Sequence, residues 1–510
     1  MIDFTPIMRR RARARLLAQQ RYITHAASVQ QEQLVKLIER ASLTWQGRRY
    51  EFSALRTYDD FASAVPLSRY EDLREAIMRM VHGEADVLWP GRVRHFAQSS
   101  GTSDGKSKYI PITTESFRSN HYQGASDVVS HYLNLNPKSR LFAGKGFILG
   151  GSFANEVKDL PRGVRVGDLS ANLIEHINPI VNLFRVPDKR TALMPDWTEK
   201  LPALVERSRH ERNITNLSGV PSWFLTVITE VLRAEGKECI HDVWPKLEVF
   251  FHGGINFEPY RARYEQLCDM NRMHFLNTYN ASEGFFATQS SWESTAMLLL
   301  LDVGVFYEFI PIDEIESDEP HALPIWEIEN GKTYELVITA VNGLWRYRIG
   351  DTVKVEQVNP VKISIAGRTK SFINAFGEEL MVHNADEAIT AASQQTGAQV
   401  LNYTAAPVYA SDGKRGCHQW LIEFAVKPSD MAAFTRILDD TLKHVNSDYE
   451  AKRTGDIFLD PPQVVTARHG IFEQWLAATG KLGGQRKVPR LCNDRKLMET
   501  LLNYINDGHL

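Results

Sequence analysis

The stretch from Gln98 to Pro111, QSSGTSDGKSKYIP, carries a dense set of residues that could bind a phosphate chain. Small hydroxyl residues surround Gly101, and two lysines, Lys106 and Lys108, follow it. Small residues let backbone N–H groups and hydroxyls donate to phosphate oxygens, and a lysine neutralises charge. The stretch lacks the GxxxxGK[ST] spacing of a P-loop and the GxGxxG of a Rossmann turn. On its own it fits a phosphate-binding loop and a polar surface loop equally well.

Other positions could complete a nucleotide site. Glu283, beside Ser282, could bind Mg²⁺, because that ion takes one or two carboxylates together with phosphate oxygens. Tyr279 could stack on a purine or fill the core, and Asp351 could accept ribose hydroxyls or form a Gly-Asp turn. Lys487, in a glycine- and glutamine-rich segment, could stabilise charge at an α-phosphate. Each signal alone also suits a surface or core residue, but together they predict an ATP site built from three pieces, with a lysine from another domain.

The elements that must position these residues follow from hydrophobic spacing. The N-terminal ninety residues are predicted to be mostly helical. A strand over 93–97 is predicted to lead into the Gln98–Pro111 stretch, and a helix is predicted directly after that stretch. Residues 141–260 alternate short apolar strands with helices, which predicts a largely parallel α/β sheet. Ligands bind at the carboxyl ends of strands in such sheets, where three small-residue loops are expected here. Residues 298–366 predict consecutive strands in an antiparallel or barrel-like layer beside that sheet.

A polar, glycine-containing segment over 366–379 is typical of a domain hinge. Beyond it, three helical and two strand-like patterns predict a small α+β unit. We therefore expect an α/β chain with a large N-terminal domain over 1–368, containing mixed sheets and a β-barrel-like layer. A small, mobile C-terminal domain is expected over 369–510.

Composition limits the function classes. The 510 residues are 43% hydrophobic and 24% charged with a net charge of −3, as in a soluble globular protein of two or three domains. This balance does not favour nucleic acid, and no apolar run approaches the roughly 20 residues that cross a bilayer. Four scattered cysteines without metal-ligand spacing favour a reducing, cytoplasmic location. The arginine-rich MRRRARARLLAQQ segment is predicted to be a basic first helix rather than a transit peptide.

Several stretches together resemble the adenylate-forming superfamily that includes acyl-CoA synthetases and luciferases. SSGTSDGKSKYIP resembles its first motif, YNASEGFF its second and WRYRIGD its third. AGRTKSFINAFGEEL is similar to its hinge, and GKLGGQRKVPRL is similar to its C-terminal lysine loop. Nearly end to end, the chain resembles the Gretchen Hagen three family of acyl-acid amido synthetases, through stretches such as YDDFASAVPLSRYEDLREAI, LSGVPSWFL and FHGGINFEPY. YNASEG and GGQRKVPRL, in place of a plant-like QYKTPRC ending, favour the bacterial-type members over the plant hormone enzymes.

The resemblance implies which residues would contact ATP or AMP. They are Ser99, Ser100, Gly101, Thr102, Ser103, Lys108, Gly253, Gly254, Tyr279, Asn280, Ser282, Asp351 and Arg368. In the family pattern the first five hold the triphosphate, the glycine pair flanks adenine, and Tyr279 stacks on it. Ser282 contacts the α-phosphate, Glu283 binds Mg²⁺ and acts in catalysis, and Asp351 holds the ribose with Arg368 nearby.

The implied reaction is a two-step ligation. A small carboxylic acid attacks the α-phosphate of Mg·ATP to give an acyl-adenylate, and an amine, such as an amino acid, then displaces AMP. This chemistry needs charge stabilisation more than a covalent nucleophile. Lys487 is the expected catalytic lysine, with Lys481 of the same loop as the alternative, and a rotation about 366–372 would present it.

Three points stay open in the sequence. Leu173, Trp223 and Phe224 are candidates for the acyl pocket, or are core residues. An acyl-CoA ligase with the same first step, or a nucleotide-binding protein without turnover, would carry much of the same pattern. We expect a monomer or weak dimer with no nucleic-acid or membrane partner, whose acid and amine the sequence does not identify.

Overall fold

The computed structural model describes residues 2–99, 108–153, 157, 159–368, 372–410, 415–478 and 488–506. The described chain divides into two compact units. The large unit comprises residues 2–99, 108–254 and 262–368, and the small unit comprises 255–261 together with the residues from 372 onward. No helix among the described residues is both long enough and apolar enough to span a bilayer.

The helices of the chain are listed here in order. They are α1 (Thr5–Gln19), α2 (Arg21–Thr24), α3 (Ala26–Ala41), α4 (Trp45–Arg49), α5 (Tyr58–Ala64), α6 (Tyr70–Val81), α7 (Tyr122–Leu135), α8 (Leu169–His176), α9 (Pro179–Asn182), α10 (Lys189–Ala192), α11 (Trp197–Arg209), α12 (Pro221–Glu235), α13 (Ile240–Val243), α14 (Glu258–Leu267), α15 (Val382–Thr396), α16 (Met431–Val445), α17 (Ser447–Arg453), α18 (Ile471–Ala478) and α19 (Lys496–Asn506). The mostly helical start of the chain and its basic first helix are confirmed by α1 to α6.

The strands of the large unit carry most of its core. They are β1 (His95–Ser99), β2 (Lys108–Ile112), β3 (Lys145–Ile148), β4 (Arg165–Gly167), β5 (Arg185–Val186), β6 (Ile214–Gly219), β7 (Val249–His252), β8 (His274–Ala281), β9 (Gly284–Gln289), β10 (Met297–Leu299), β11 (Val305–Pro311), β12 (Leu323–Pro324), β13 (Thr333–Ala340), β14 (Tyr347–Val358) and β15 (Val361–Arg368). Twelve of these described strands form one sheet in the order β12-β11-β13-β14-β15-β10-β9-β8-β7-β6-β3-β5.

One half of this sheet is parallel and the other antiparallel. The pairs β5/β3, β3/β6, β6/β7 and β7/β8 are parallel, which confirms the predicted α/β core. From β8 onward every pair through β9, β10, β15, β14, β13, β11 and β12 is antiparallel. The antiparallel strands thus continue the main sheet, although a separate layer beside it was expected. The reason is β10, whose Met297 pairs with Gln289 of β9 and with Ile363 of β15.

The described ends of the Gln98–Pro111 stretch belong to two paired strands. Strands β1 and β2 pair antiparallel with Ser99 opposite Lys108, and β4 pairs parallel with β1 in a separate three-stranded sheet. The expected direct passage from loop to helix was wrong, because the apolar β2 segment with its buried Ile110 comes first. Thr113 caps the helical segment that follows β2, since its hydroxyl accepts a hydrogen bond from the N–H of Ser116 at 3.0 Å. A π-helical segment, Ser116–His121, then leads into α7.

The small unit contains further strands. They are β16 (Phe372–Ile373), β17 (Leu380–Met381), β18 (Gln399–Val408), β19 (Cys417–Val426) and β20 (Gln463–Thr466). Among the described residues, β18, β19 and β20 form one sheet, while β16 and β17 pair separately. The predicted small α+β unit is confirmed, but β20 and the last helix α19 are additions. Apolar residues of this helix, Met498 and Leu501, join Leu421 and Ile471 in a buried cluster.

Candidate active site

The parallel strands end together at one edge of the large sheet. His252, the last residue of β7, lies opposite Gly219 at the end of β6, and its carbonyl accepts a hydrogen bond from the Thr278 hydroxyl at 2.9 Å. Gly253 follows, where a Cβ atom would lie 2.6 Å from the carbonyl oxygen of Thr278. Gly254 has a φ of +84°, a conformation that L side chains rarely adopt. Both glycines are therefore required by this edge, which is where ligands bind in α/β sheets.

The second motif forms a tight hairpin. Strand β8 continues through Ala281, which pairs with Gly284 of β9, so Ser282 and Glu283 form a two-residue turn. A hairpin turn thus stands where one of the small-residue loops was expected. Glu283 is 8% exposed and lies at the tip of the hairpin, between the paired residues Ala281 and Gly284.

Tyr279 and Asp351 meet although 72 positions separate them in the chain. The Tyr279 hydroxyl donates a hydrogen bond to Oδ2 of Asp351 at 2.7 Å. Both side chains are buried, and the Tyr279 ring contacts Phe286 edge to face at 5.1 Å between centroids. Asp351 lies in β14 directly after Gly350, whose φ is +88°. The second and third motifs are thus joined by a charge-assisted hydrogen bond, which is stronger than a neutral one.

The two arginines of the third motif have a structural role. Arg346 forms an ion pair with Glu308 at 2.8 Å, and Arg348 donates from Nε to Glu335 at 2.9 Å. All four side chains are buried. Burial raises the pKa of Glu308, and Arg346 opposes that rise. These pairs join β11 and β13 to the segment that carries Asp351, which is β14 and the residue before it.

The first motif is described only at its two ends. Ser99 pairs with Lys108 across the open end of the β1–β2 hairpin. The Lys108 ammonium lies 5.9 Å from the centre of the Tyr70 ring, and the Tyr70 hydroxyl accepts a hydrogen bond from the Tyr109 N–H at 2.9 Å. The hairpin therefore holds the two ends of the phosphate-loop candidate side by side.

Several predicted residues lie outside the described part of the chain. They are Ser100, Gly101, Thr102, Ser103, Lys106, Lys481 and Lys487. Arg368 is described as the last residue of β15, where its backbone pairs with Asp351. Asn280 pairs with Phe285 in the β8–β9 hairpin. Their assigned contacts with ATP stay predictions.

The acyl-pocket candidates have different surroundings. Phe224 on α12 is fully buried, with the rings of Phe147 and Phe250 each 5.2 Å away between centroids. This aromatic cluster joins the helix to the parallel half of the sheet and favours the core alternative for Phe224. Trp223 on the same helix and Leu173 on α8 are partly exposed. They stay candidates for contact with the acid.

Two buried asparagines that the sequence did not predict hold the β8–β9 turn. Asn342 donates from Nδ2 to the carbonyl of Glu283 at 2.8 Å. Asn120 accepts the N–H of Phe285 at 2.7 Å and donates to the carbonyl of the same residue at 3.1 Å. Asn342, followed by Gly343, is typical of a turn, and Asn120 lies in a helical stretch without any distinguishing spacing. No sequence signal could have linked either residue to Glu283.

The donor set suits a metal ion that arrives with its substrate. Among the residues that the structure describes, no group of three or more His, Cys, Asp or Glu could hold a metal ion. Mg²⁺ commonly binds through one or two carboxylates together with substrate phosphates and water. Glu283, on a turn whose backbone is fixed, fits that requirement for a carboxylate.

Comparison with known proteins agrees with the motifs. The chain matches the GH3 family N-terminal domain over residues 16–203, the GH3 family central domain over 298–368 and the GH3 family C-terminal domain over 383–496. It is 22% identical to indole-3-acetic acid-amido synthetase GH3.3 of Arabidopsis thaliana, with 94% of this chain and 92% of that protein covered. It is also 22% identical to jasmonoyl–L-amino acid synthetase GH3.5 of Oryza sativa subsp. japonica, with 95% and 96% covered.

Solved structures share the fold. The acyl acid amido synthetase AtGH3.15 in complex with 2,4-DB aligns with a TM-score of 0.63 at 19% identity, covering 96% of each chain. A 2-hydroxyisobutyryl-CoA ligase in complex with 2-HIB-AMP and CoA aligns with a TM-score of 0.60 at 16% identity, covering 96% of this chain and 94% of that one. Because the three domain models together match well over half of its residues, the chain belongs to the GH3, or Gretchen Hagen three, family.

Proposed function

We propose that this protein is an acyl-acid amido synthetase that adenylates a small carboxylic acid with ATP and transfers the acyl group to an amine. The amine is an amino acid, as the name of the jasmonoyl–L-amino acid synthetase of Oryza sativa states for that relative. We further propose that it works in the cytoplasm as a monomer or weak dimer. Four free cysteines, Cys239, Cys268, Cys417 and Cys492, support a reducing compartment.

The hydrogen bond between Tyr279 and Asp351 carries the proposal. It places the second and third motifs against each other at the edge where Gly253 ends the parallel half of the sheet. In the proposed complex Asp351 accepts the ribose hydroxyls, and the Tyr279 hydroxyl holds its carboxylate in one orientation. The glycine pair leaves room for a planar base beside the backbone.

The remaining groups act on the phosphates. Ser282 donates to the α-phosphate, and Mg²⁺, when bound with ATP, neutralises phosphate charge as the acid attacks. Glu283 supplies the carboxylate for that ion from a turn fixed in position. Lys108 and the small hydroxyl residues of the first motif hold the outer phosphates, and Lys487 stabilises charge that develops during attack.

The test is ATP–pyrophosphate exchange over a panel of aliphatic and aromatic carboxylic acids, followed by mass detection of products with the twenty amino acids or with CoA. We expect exchange with at least one acid and an amide product. Glu283→Gln should abolish exchange, whereas Glu39→Gln, a carboxylate on the exposed surface of α3, should not.

The outcomes separate the alternatives. Absence of exchange with every acid, despite bound ATP, would indicate a nucleotide-binding protein without turnover. A thioester with CoA and no amide would make the chain an acyl-CoA ligase that shares the adenylation step.

A further inference from the structure

The turn that carries Ser282 and Glu283 does not have the backbone that two-residue hairpins favour. Such hairpins normally use type I′ or II′ turns, which require a positive φ at the first or at both central residues, because other turns splay the strands. Neither Ser282 nor Glu283 has a positive φ. The neighbouring strands therefore do not by themselves favour this turn.

The same hairpin contains a second irregularity. Tyr279 pairs with Ala287, but the next residue, Asn280, pairs with Phe285, so Phe286 is an extra residue in β9. A bulge of this kind bends its strand and redirects the side chains around it. The regular pairing of the two strands therefore does not by itself set the direction in which Ser282 and Glu283 point, and contacts from outside the hairpin contribute to it.

Two side-chain amides from elsewhere in the large unit supply these contacts. Asn342, 1% exposed, donates to the carbonyl of Glu283 at 2.8 Å. Asn120, 2% exposed, bonds both the N–H and the carbonyl of Phe285 and donates to the carbonyl of Val303 at 3.1 Å. At Gly284, between the two held residues, a Cβ would lie 2.7 Å from the Phe286 ring and 3.3 Å from the Asn120 amide oxygen, so glycine leaves room for both side chains.

We propose that Asn120 and Asn342 are positioning residues for metal and phosphate binding. Together they impose the unfavoured turn and fix the backbone of Glu283 before Mg·ATP arrives. This inference rests on the proposed function, because it takes Ser282 and Glu283 as the groups that meet the phosphates. Loss of Asn120 or Asn342 therefore weakens the Mg²⁺-dependent binding of ATP, in addition to lowering the stability of the fold.

The chain offers a matched control in Gln30 on α3. This side chain is fully buried and, like Asn120, donates two bonds and accepts one: it donates to the carbonyls of Leu301 and Val305 at 2.8 and 2.9 Å and accepts the N–H of Tyr307 at 2.8 Å. It holds the connection between β10 and β11 rather than the β8–β9 turn. Gln30→Leu therefore removes from the same unit as many bonds as Asn120→Leu, and one more than Asn342→Leu.

The experiment compares Asn120→Leu, Asn342→Leu and Gln30→Leu in the full chain. Three properties are measured for each variant. They are the thermal unfolding temperature, the Mg²⁺ dependence of ATP binding by titration calorimetry, and the rate of pyrophosphate exchange. All three variants should unfold at lower temperature, but only the two asparagine variants should raise the Mg²⁺ concentration for half-maximal binding, by about tenfold. An equal shift in Gln30→Leu, or no shift in the asparagine variants, would overturn the proposal.

Conservative variants keep the test decisive if the leucine variants do not fold. In Asn342→Asp only the protonated carboxyl can donate to the Glu283 carbonyl, and burial raises the pKa of such a group. Its Mg²⁺ response should therefore recover as the pH is lowered, whereas that of the wild type should not improve in parallel. A pH profile parallel to that of the wild type would contradict the role of Asn342.

The calorimetric readout separates the two proposals. If the wild type binds Mg·ATP but exchanges pyrophosphate with no acid, the proposed function fails while the positioning role is still measured. If exchange occurs and the asparagine variants match Gln30→Leu, only the positioning role fails.

Discussion

Replacing Tyr279 by phenylalanine removes one hydroxyl and with it the 2.7 Å hydrogen bond to Asp351. The ring itself stays, so its contact with Phe286 is preserved. Because Tyr279 and Asp351 are both buried, no bulk water is at hand to replace the lost donor fully. The substitution therefore isolates the bond that joins the second and third motifs.

Two magnitudes follow from this geometry. A hydrogen bond to a charged acceptor contributes about 1.5–3 kcal/mol, which bounds the loss in the free energy of unfolding. The free energy of ATP binding changes only because the Asp351 carboxylate must now be ordered when ATP binds. Ordering one side chain costs about 0.5–1.5 kcal/mol. That range corresponds to a rise in the KM for ATP of about 2- to 12-fold.

Tyr449→Phe provides the control. The Tyr449 hydroxyl donates to Oδ1 of Asp439 at 2.8 Å, and both side chains are buried in the small unit. We expect a comparable loss of stability by urea unfolding but an unchanged KM for ATP in pyrophosphate exchange. If Tyr279→Phe also leaves that KM unchanged while it lowers stability, the buried pair serves the fold alone and the assignment of Asp351 to the ribose is refuted.

Three further predictions concern other parts of the molecule. Gly253→Ala should reduce ATP binding at least tenfold in calorimetry, because its Cβ would lie 2.6 Å from the carbonyl oxygen of Thr278; normal binding would show that this edge does not meet the nucleotide. Lys487→Ala should lower pyrophosphate exchange by about 100-fold or more while Lys481→Ala should not, and the reverse result would transfer the role to Lys481. Burial lowers the pKa of His121 to about 4, so the unfolded chain binds a proton that the native chain rejects between about pH 6.5 and 4. As the pH is lowered across that range, the free energy of unfolding should fall by up to about 3 kcal/mol. Urea titrations of His121→Gln should show a smaller fall. A fall equal to that of the wild type would mean that other groups cause it.

Residue patterns predicted the elements well where burial alone determines them. The spacing of apolar residues predicted the helical start that contains α3 and α6, and short apolar runs predicted the alternation that contains β3 and β7, because a half-buried helix and a buried strand have different periods. The same reasoning missed β2, since Tyr109 to Ile112 followed a stretch rich in turn formers. It also placed the antiparallel strands in a separate layer, because which edges pair is decided by tertiary contacts that no local pattern records.

The candidate site was predictable only in part. Tyr279, Glu283 and Asp351 belong to recognisable motifs, and the structure places Tyr279 and Asp351 in contact. The residues that hold the turn, Asn120 and Asn342, could not be predicted. Each side-chain amide bonds to a backbone group far away in the sequence, and no local pattern indicates such a contact. Arg346 and Arg348 stand in the third motif, but no local pattern indicated that each forms a buried ion pair.

Strand β8 is the only described strand of the large sheet that pairs in parallel on one side and antiparallel on the other. The two halves that it joins have different folding demands. Antiparallel hairpins close over short loops, whereas each parallel pair must wait for a crossover, so the parallel half should assemble more slowly. Because Gly253 directly follows a parallel strand and Asp351 lies in an antiparallel one, competence to bind nucleotide should return only with the slowest step of refolding. A folding intermediate in which only one half of the large sheet has formed would contain native secondary structure but would not bind ATP.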